Sequence, residues 1–94
     1  MQWRIEKYVP KPERERERSE LSFEGTGAIS CSLVVLSPPE KWWVGFNLSF
    51  FIDATNGDEA RQKAIDHLLV CLETMDGQLR NLVSANPSPT RVEV

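Results

Sequence analysis

In the second half of the chain, apolar residues recur at Ile65, Leu68, Leu72, Met75, Leu79 and Leu82, at spacings of 3, 4, 3, 4 and 3. Only an α-helix brings all six to one side. Its start is also marked. Thr55 or Asn56 can cap it, and Asp58 and Glu59 fall in the first turn, where the helix dipole favours negative charge. Ala60, Ala64, Leu69 and Val83 widen the stripe, and Asn86-Pro87-Ser88-Pro89 ends regular structure. The pattern predicts one long amphipathic helix from about Asp58 to Ser84. Gly77 lies opposite the stripe and costs about 1 kcal/mol against alanine there; a break into two shorter helices near Asp76 is the competing reading. The same spacing would suit a coiled-coil seam. A sheet that needs a lid makes packing on the sheet the expectation.

Strands precede the helix. From Leu21 to Leu36 the odd positions (Leu21, Phe23, Ile29, Cys31, Leu33, Val35) are mostly apolar, the signature of a half-buried strand. Gly25-Thr26-Gly27 interrupts it, either as a bulge or as a turn that splits it in two. Trp42 to Ala54 carries its inward set at even positions: Trp42, Val44, Phe46, Leu48, Phe50 and Ile52. Two strands share a face only if odd residues of one oppose even residues of the other. Val35 opposite Val44, Leu33 opposite Phe46 and Cys31 opposite Leu48 satisfies this. Gln2 to Val9 alternates more weakly and reads as a first strand, ended by Pro10 and Pro12. The expected fold class is α+β: a three-stranded antiparallel sheet packed against one long C-terminal amphipathic helix. Residues 1–86 form the single domain, with 10–20 as a charged connector. Residues 87–94 are a tail, either disordered or added to a sheet edge.

Chemistry is sparse. A chain of 94 residues buries roughly 60–65% of its unfolded surface, enough for one modest core. The net charge of −3 lacks the basic balance of a nucleic-acid-binding domain. No apolar run reaches membrane-spanning length, and no signal peptide opens the chain, so a cytoplasmic location and no membrane partner are expected. Cys31 and Cys71 with one histidine make no zinc site, and they are expected as reduced, buried thiols. His67 falls off the apolar stripe and is expected to face solvent. Asp53 to Glu59 lacks the ligand spacing of a calcium loop, and Gly25-Thr26-Gly27 lacks the helix that a phosphate loop needs. No catalytic, metal or cofactor residue is assigned, and the chain is not expected to be an enzyme.

Two features remain. Trp43, Phe51, Val34 and Leu36 point to the side opposite the inward set, with Leu36 opposite Trp43 and Phe51 opposite Ala28. One helix covers one sheet face, so this patch is left over. Either it binds another protein or another segment of the chain folds across it. The second feature is the strict sign alternation from Glu13 to Arg18. With no apolar anchor it reads as a solvated connector, or as an arm whose Glu15, Arg16, Glu17 and Arg18 dock on a partner.

In size, acidity and architecture the chain resembles small phage-encoded accessory proteins, including anti-CRISPR inhibitors. Such a resemblance implies a non-enzymatic protein that inhibits a host defence complex by steric occlusion. Over about Trp42 to Leu72 it also resembles the core of HicB-type antitoxins, in which a strand leads through a Thr-x-Gly-Asp turn into a Glu-Ala helix. Thr55, Gly57, Asp58, Glu59 and Ala60 match. The chain departs from that family in lacking the proline-containing loop and a C-terminal DNA-binding module. That resemblance implies an antitoxin or regulator that neutralises a small toxin. The partner expected is therefore another protein or host complex, or a second copy bound through the outer sheet face.

Overall fold

The computed structural model describes residues 1–8, 16–38 and 40–92. The fold is α+β, but with five strands rather than three: β1 (Arg4–Tyr8), β2 (Arg16–Ser22), β3 (Ser30–Leu36), β4 (Trp43–Ser49), then helix α1 (Gly57–Ala85) and a short β5 (Thr90–Arg91). The spatial order is β4-β3-β2-β1-β5. β1 to β4 form an antiparallel meander, and β5 returns parallel to β1.

Two strands were hidden in the sequence. The expected strand Leu21 to Leu36 is split: β2 ends at Ser22, and Gly25 and Gly27 take positive φ (69° and 74°) in the bend before β3. A left-handed backbone twice within three residues turns the chain and cannot continue a ladder. The turn reading of Gly25-Thr26-Gly27 is the one that forms. The first half of β2 lies in the Glu/Arg run, where the connector reading fails from Arg16 onward; the second hidden strand is β5, the tail added to the sheet edge beside β1. β2 starts at Arg16 because its charges are satisfied across the ladder. Arg18, opposite Glu6, donates to that carboxylate at 3.2 Å and also pairs with its neighbour Glu20. Opposite charges facing each other across strands stabilise pairing by a few tenths of a kcal/mol each. The first part of the run lies outside the described residues.

Strand β4 forms with the predicted register. Val35 faces Val44, Leu33 faces Phe46, Cys31 faces Leu48 and Leu36 faces Trp43. The strand is shorter than predicted. It leaves the ladder after Ser49, so the expected pair of Phe51 with Ala28 does not form; Ile29 instead donates its N–H to the Ser49 carbonyl.

Helix α1 runs for 29 residues without a break at Gly77. The Asn56 side chain caps it by accepting from the Glu59 N–H, and Glu59 reaches back to the Thr55 N–H and hydroxyl. Hydrogen bonds from Lys63 and then Thr55 hold the Glu59 carboxyl below its ordinary pKa. At the other end Asn86 closes the helix in the left-handed conformation (φ 46°), its N–H bonded to the Leu82 carbonyl. A methyl group at Gly77 would meet nothing within 4 Å. Gly77→Ala is therefore expected to stabilise the fold by about 0.5–1 kcal/mol, read as a higher denaturant midpoint at unchanged slope.

The helix has a different phase from the one predicted. Its contacts trace a path across one end of the sheet. Lys63 Nζ donates to the Asp53 carbonyl at 2.6 Å, just beyond β4. The His67 ring lies 4.3 Å from that of Phe50, and Cys71 Sγ is 3.3 Å from the Thr26 carbonyl. Met75 Sδ lies 3.0 Å from Cys31 Sγ, and the Gln78 amide both donates to and accepts from the Glu24 backbone. Leu82 and Met1 line a shared cavity near β1. The inward face is thus His67, Cys71, Met75, Gln78 and Leu82. Of the predicted stripe, Met75 is buried and Leu82 half-buried, while Ile65, Leu68, Leu72 and Leu79 remain exposed. His67, expected in solvent, is half-buried for the same reason. The buried apolar residues among those described are three: Leu21 and Cys71, both fully enclosed, and Met75.

Candidate protein-binding surface

Even-numbered residues of β2 and β3 point away from the helix, as do the odd-numbered residues of β4. Register stacks them in rows: Arg18, Leu36 and Trp43; Glu20, Val34 and Gly45; Ser22, Ser32 and Asn47. Together they shape an open groove of about 350 Å³, lined by Arg18, Ser32, Val34, Leu36, Trp43 and Asn47, with Gly45 and Phe46 completing it. Gly45 determines its form. A Cβ at that position would fall inside the Trp43 ring, so the indole lies over the strand only because glycine stands two residues on. Trp43 remains 53% exposed there, a large flat apolar surface beside half-buried Val34 and Leu36.

Arg18 forms one wall. Its guanidinium is anchored between Glu6 and Glu20, which neutralise it and hold its fork in place. With Arg4 4.0 Å from Glu6, two arginines balance two glutamates along the rim, and the floor of the groove is apolar. Trp43 stands on the edge strand at the end of the row that runs through Leu36 to Arg18, with the polar side chains of Ser32 and Asn47 at the other end of the groove.

The sequence-predicted residues divide. Val34, Leu36, Trp43 and Arg18 converge in the groove. Phe51 does not: it lies beyond β4, 88% exposed. Arg16 is tied down, its Nε donating to the Ser37 carbonyl at 2.8 Å. Glu17 projects to the helix side, where it lies 3.8 Å from Arg91 of β5. Glu15 falls outside the described residues. Ser32, Gly45 and Asn47 were not singled out in the sequence. The spacing of Gly45 two residues after Trp43, on the same strand face, is the signal that could have found them.

Comparison with protein-family models, curated proteins and solved structures finds no match to this chain. Among the described residues no cluster of three or more His, Cys, Asp or Glu is placed to hold a metal. His67 Nε2 is buried without a hydrogen-bond partner among the described residues, and its ring packs on Phe50. Cys31 and Cys71 are free thiols, the first against Met75 Sδ and the second against the Thr26 carbonyl. Burial, and then the proximity of Cys71, push the Cys31 thiol up, which keeps it protonated and unreactive near neutral pH. No described helix is long and apolar enough to cross a membrane.

Proposed function

We propose that this chain is a non-enzymatic protein-binding module whose outer sheet face occupies a surface of another protein. The observation that carries this is the groove in which Trp43, Leu36 and Val34 stand exposed beside the anchored Arg18. Exposed tryptophan next to a fixed arginine is a common hot-spot pairing, and truncating such an anchor typically costs 2 kcal/mol or more of binding. The small acidic chain and the rigid five-stranded platform suit steric occlusion, and a phage or mobile-element inhibitor of a host defence complex is the concrete form of that reading. A second reading, an antitoxin that covers a small toxin, draws on the Thr55-Asn56 cap leading into Gly57–Ala60. The structure forms this turn as the start of α1.

Affinity capture from host lysate, followed by mass spectrometry and titration with the protein recovered, tests the surface. Trp43→Ser is expected to weaken binding at least about 30-fold. Phe51→Ser, equally aromatic but outside the groove, is expected to leave it unchanged. Equal loss from both, or retained binding by Trp43→Ser, removes the groove as the binding surface. A neighbouring gene for a small basic toxin, and capture of that toxin, would select the antitoxin reading.

A further inference from the structure

The two edges of the sheet are built differently. One is β5, two residues long, whose Arg91 lies 3.8 Å from Glu17. The other is β4, seven residues long, in a stretch with neither charge nor proline from Trp42 to Ile52. Natural edge strands are normally blunted by shortness, charge or proline. β5 is short and charged; β4 has none of these devices. The backbone phase of β4 follows from its neighbours. Phe23 donates its N–H to the Cys31 carbonyl and Ser37 donates to that of Glu17, so the odd residues of β3 turn their backbone groups toward β2. The even residues turn theirs toward β4, where Trp43, Gly45, Asn47 and Ser49 stand opposite them. The N–H and C=O groups of Val44, Phe46 and Leu48 therefore point out of the sheet, and no described strand lies beyond them.

We propose that an extended segment of the bound protein pairs with β4 and adds a strand to this edge. The proposal rests on the reading of the outer face as a contact surface for another protein, and it names the part of that protein that makes the contact. The outward backbone groups decide the occupant. An N–H and a C=O at every second residue, about 7 Å apart, match the backbone of another strand. A helix cannot answer them, because its own backbone groups are paired within it. Side chains set the character of the segment. An added strand alternates faces, so its residues on one side meet Trp43 at the end of the groove, and those on the other side meet Val44 and Phe46, 63% and 52% exposed. The segment that fits is therefore apolar on both faces. A second β4 fits less well. The antiparallel two-fold register that uses every outward group sets Phe46 opposite its copy and Val44 opposite Leu48, and on the outer face it sets Trp43 opposite Ser49 and Gly45 opposite Asn47. The indole would then meet a small polar side chain, where an apolar neighbour is what it lacks.

Amide hydrogen exchange tests this on the complex of the full chain with the protein it captures from host lysate. The amides of Val44, Phe46 and Leu48 are expected to exchange at least about tenfold more slowly in the complex than in the free chain. Phe46→Pro removes one outward N–H and leaves the β3·β4 ladder whole, so it is expected to fold and to weaken binding at least about tenfold, read by titration. If that variant does not fold, the exchange of the wild-type complex decides alone. Trp43→Ser separates this proposal from the groove. Binding weakened by Trp43→Ser, with the three amides exchanging as in the free chain, overturns the added strand and keeps the groove. Slowed amides with binding untouched by Trp43→Ser keep the added strand and remove the groove. A folded Phe46→Pro that binds as wild type overturns the proposal, as does capture of no protein. Slowing of the three amides in the chain alone as its concentration rises, with sedimentation at twice 10.7 kDa, also overturns it and assigns the edge to a second copy.

Discussion

Leu21→Ala is expected to abolish cooperative folding, or to leave it barely detectable, at room temperature. Leu21 is fully buried, lies opposite Leu33 in the β2·β3 ladder, and is one of three buried apolar side chains among the described residues. Leu→Ala at such sites costs about 3–5 kcal/mol, through lost transfer energy and the cavity left behind. A domain of this length has total stability of roughly 5–14 kcal/mol, and a core this thin belongs at the low end. One substitution thus removes most of the margin. Ile29→Ala deletes a similar volume at a position 64% exposed and is expected to change stability by no more than about 0.5 kcal/mol. Urea melts of both variants by circular dichroism, at one fixed chain concentration, make the comparison. A Leu21→Ala midpoint close to that of wild type would place the core elsewhere than beneath the helix crossing.

The part of this fold that could be read from sequence is the part governed by alternation. Period-2 patterning in Ser30–Leu36 and Trp43–Ser49 admits few shared-face registers, and hydrophobic matching selects among them; four predicted pairs recur in the structure. What hid β2 was the absence of apolar signal. Its Arg16-Glu17-Arg18 start pairs through charge, and charge alternation reads equally well as a solvated loop when the strand opposite is unknown. Phe51 was misplaced because alternation continues past Ser49 while the ladder does not. Sequence period has no way to mark that end.

The groove was half legible. Leu36 opposite Trp43 follows from register alone. Arg18 joins them only because β2 pairs with β3, which sets Arg18 opposite Leu36. Once the charged run is a strand rather than a connector, Arg16, Glu17 and Arg18 stop acting as a unit. They alternate faces, and only Arg18 reaches the groove.

The helix phase gives the second large effect. Cys71→Asp is expected to unfold the chain at neutral pH, whereas Leu69→Lys, two residues earlier on the same helix, is expected to leave it folded. Periodicity alone favoured the stripe through Leu68 and Leu72, because leucine outweighs cysteine and histidine in any hydrophobic count. The sheet meets His67, Cys71 and Met75 instead. Small or flexible side chains let the helix lie close to the Thr26-Gly27 bend, where Cys71 Sγ reaches the Thr26 carbonyl. A carboxylate at position 71 would be buried without a countercharge, at a cost of several kcal/mol, and Leu69 is 59% exposed. The aspartate also gives a pH signature. Burial raises its folded pKa above the unfolded value of about 3.9, so the native state binds the extra proton. The deficit relative to wild type is then smallest below about pH 4 and grows as pH rises toward the folded pKa. Urea midpoints of Cys71→Asp and wild type at matched pH values check this. A deficit that stays flat with pH, or an equal loss from Leu69→Lys, would mean that the leucine stripe faces the sheet after all.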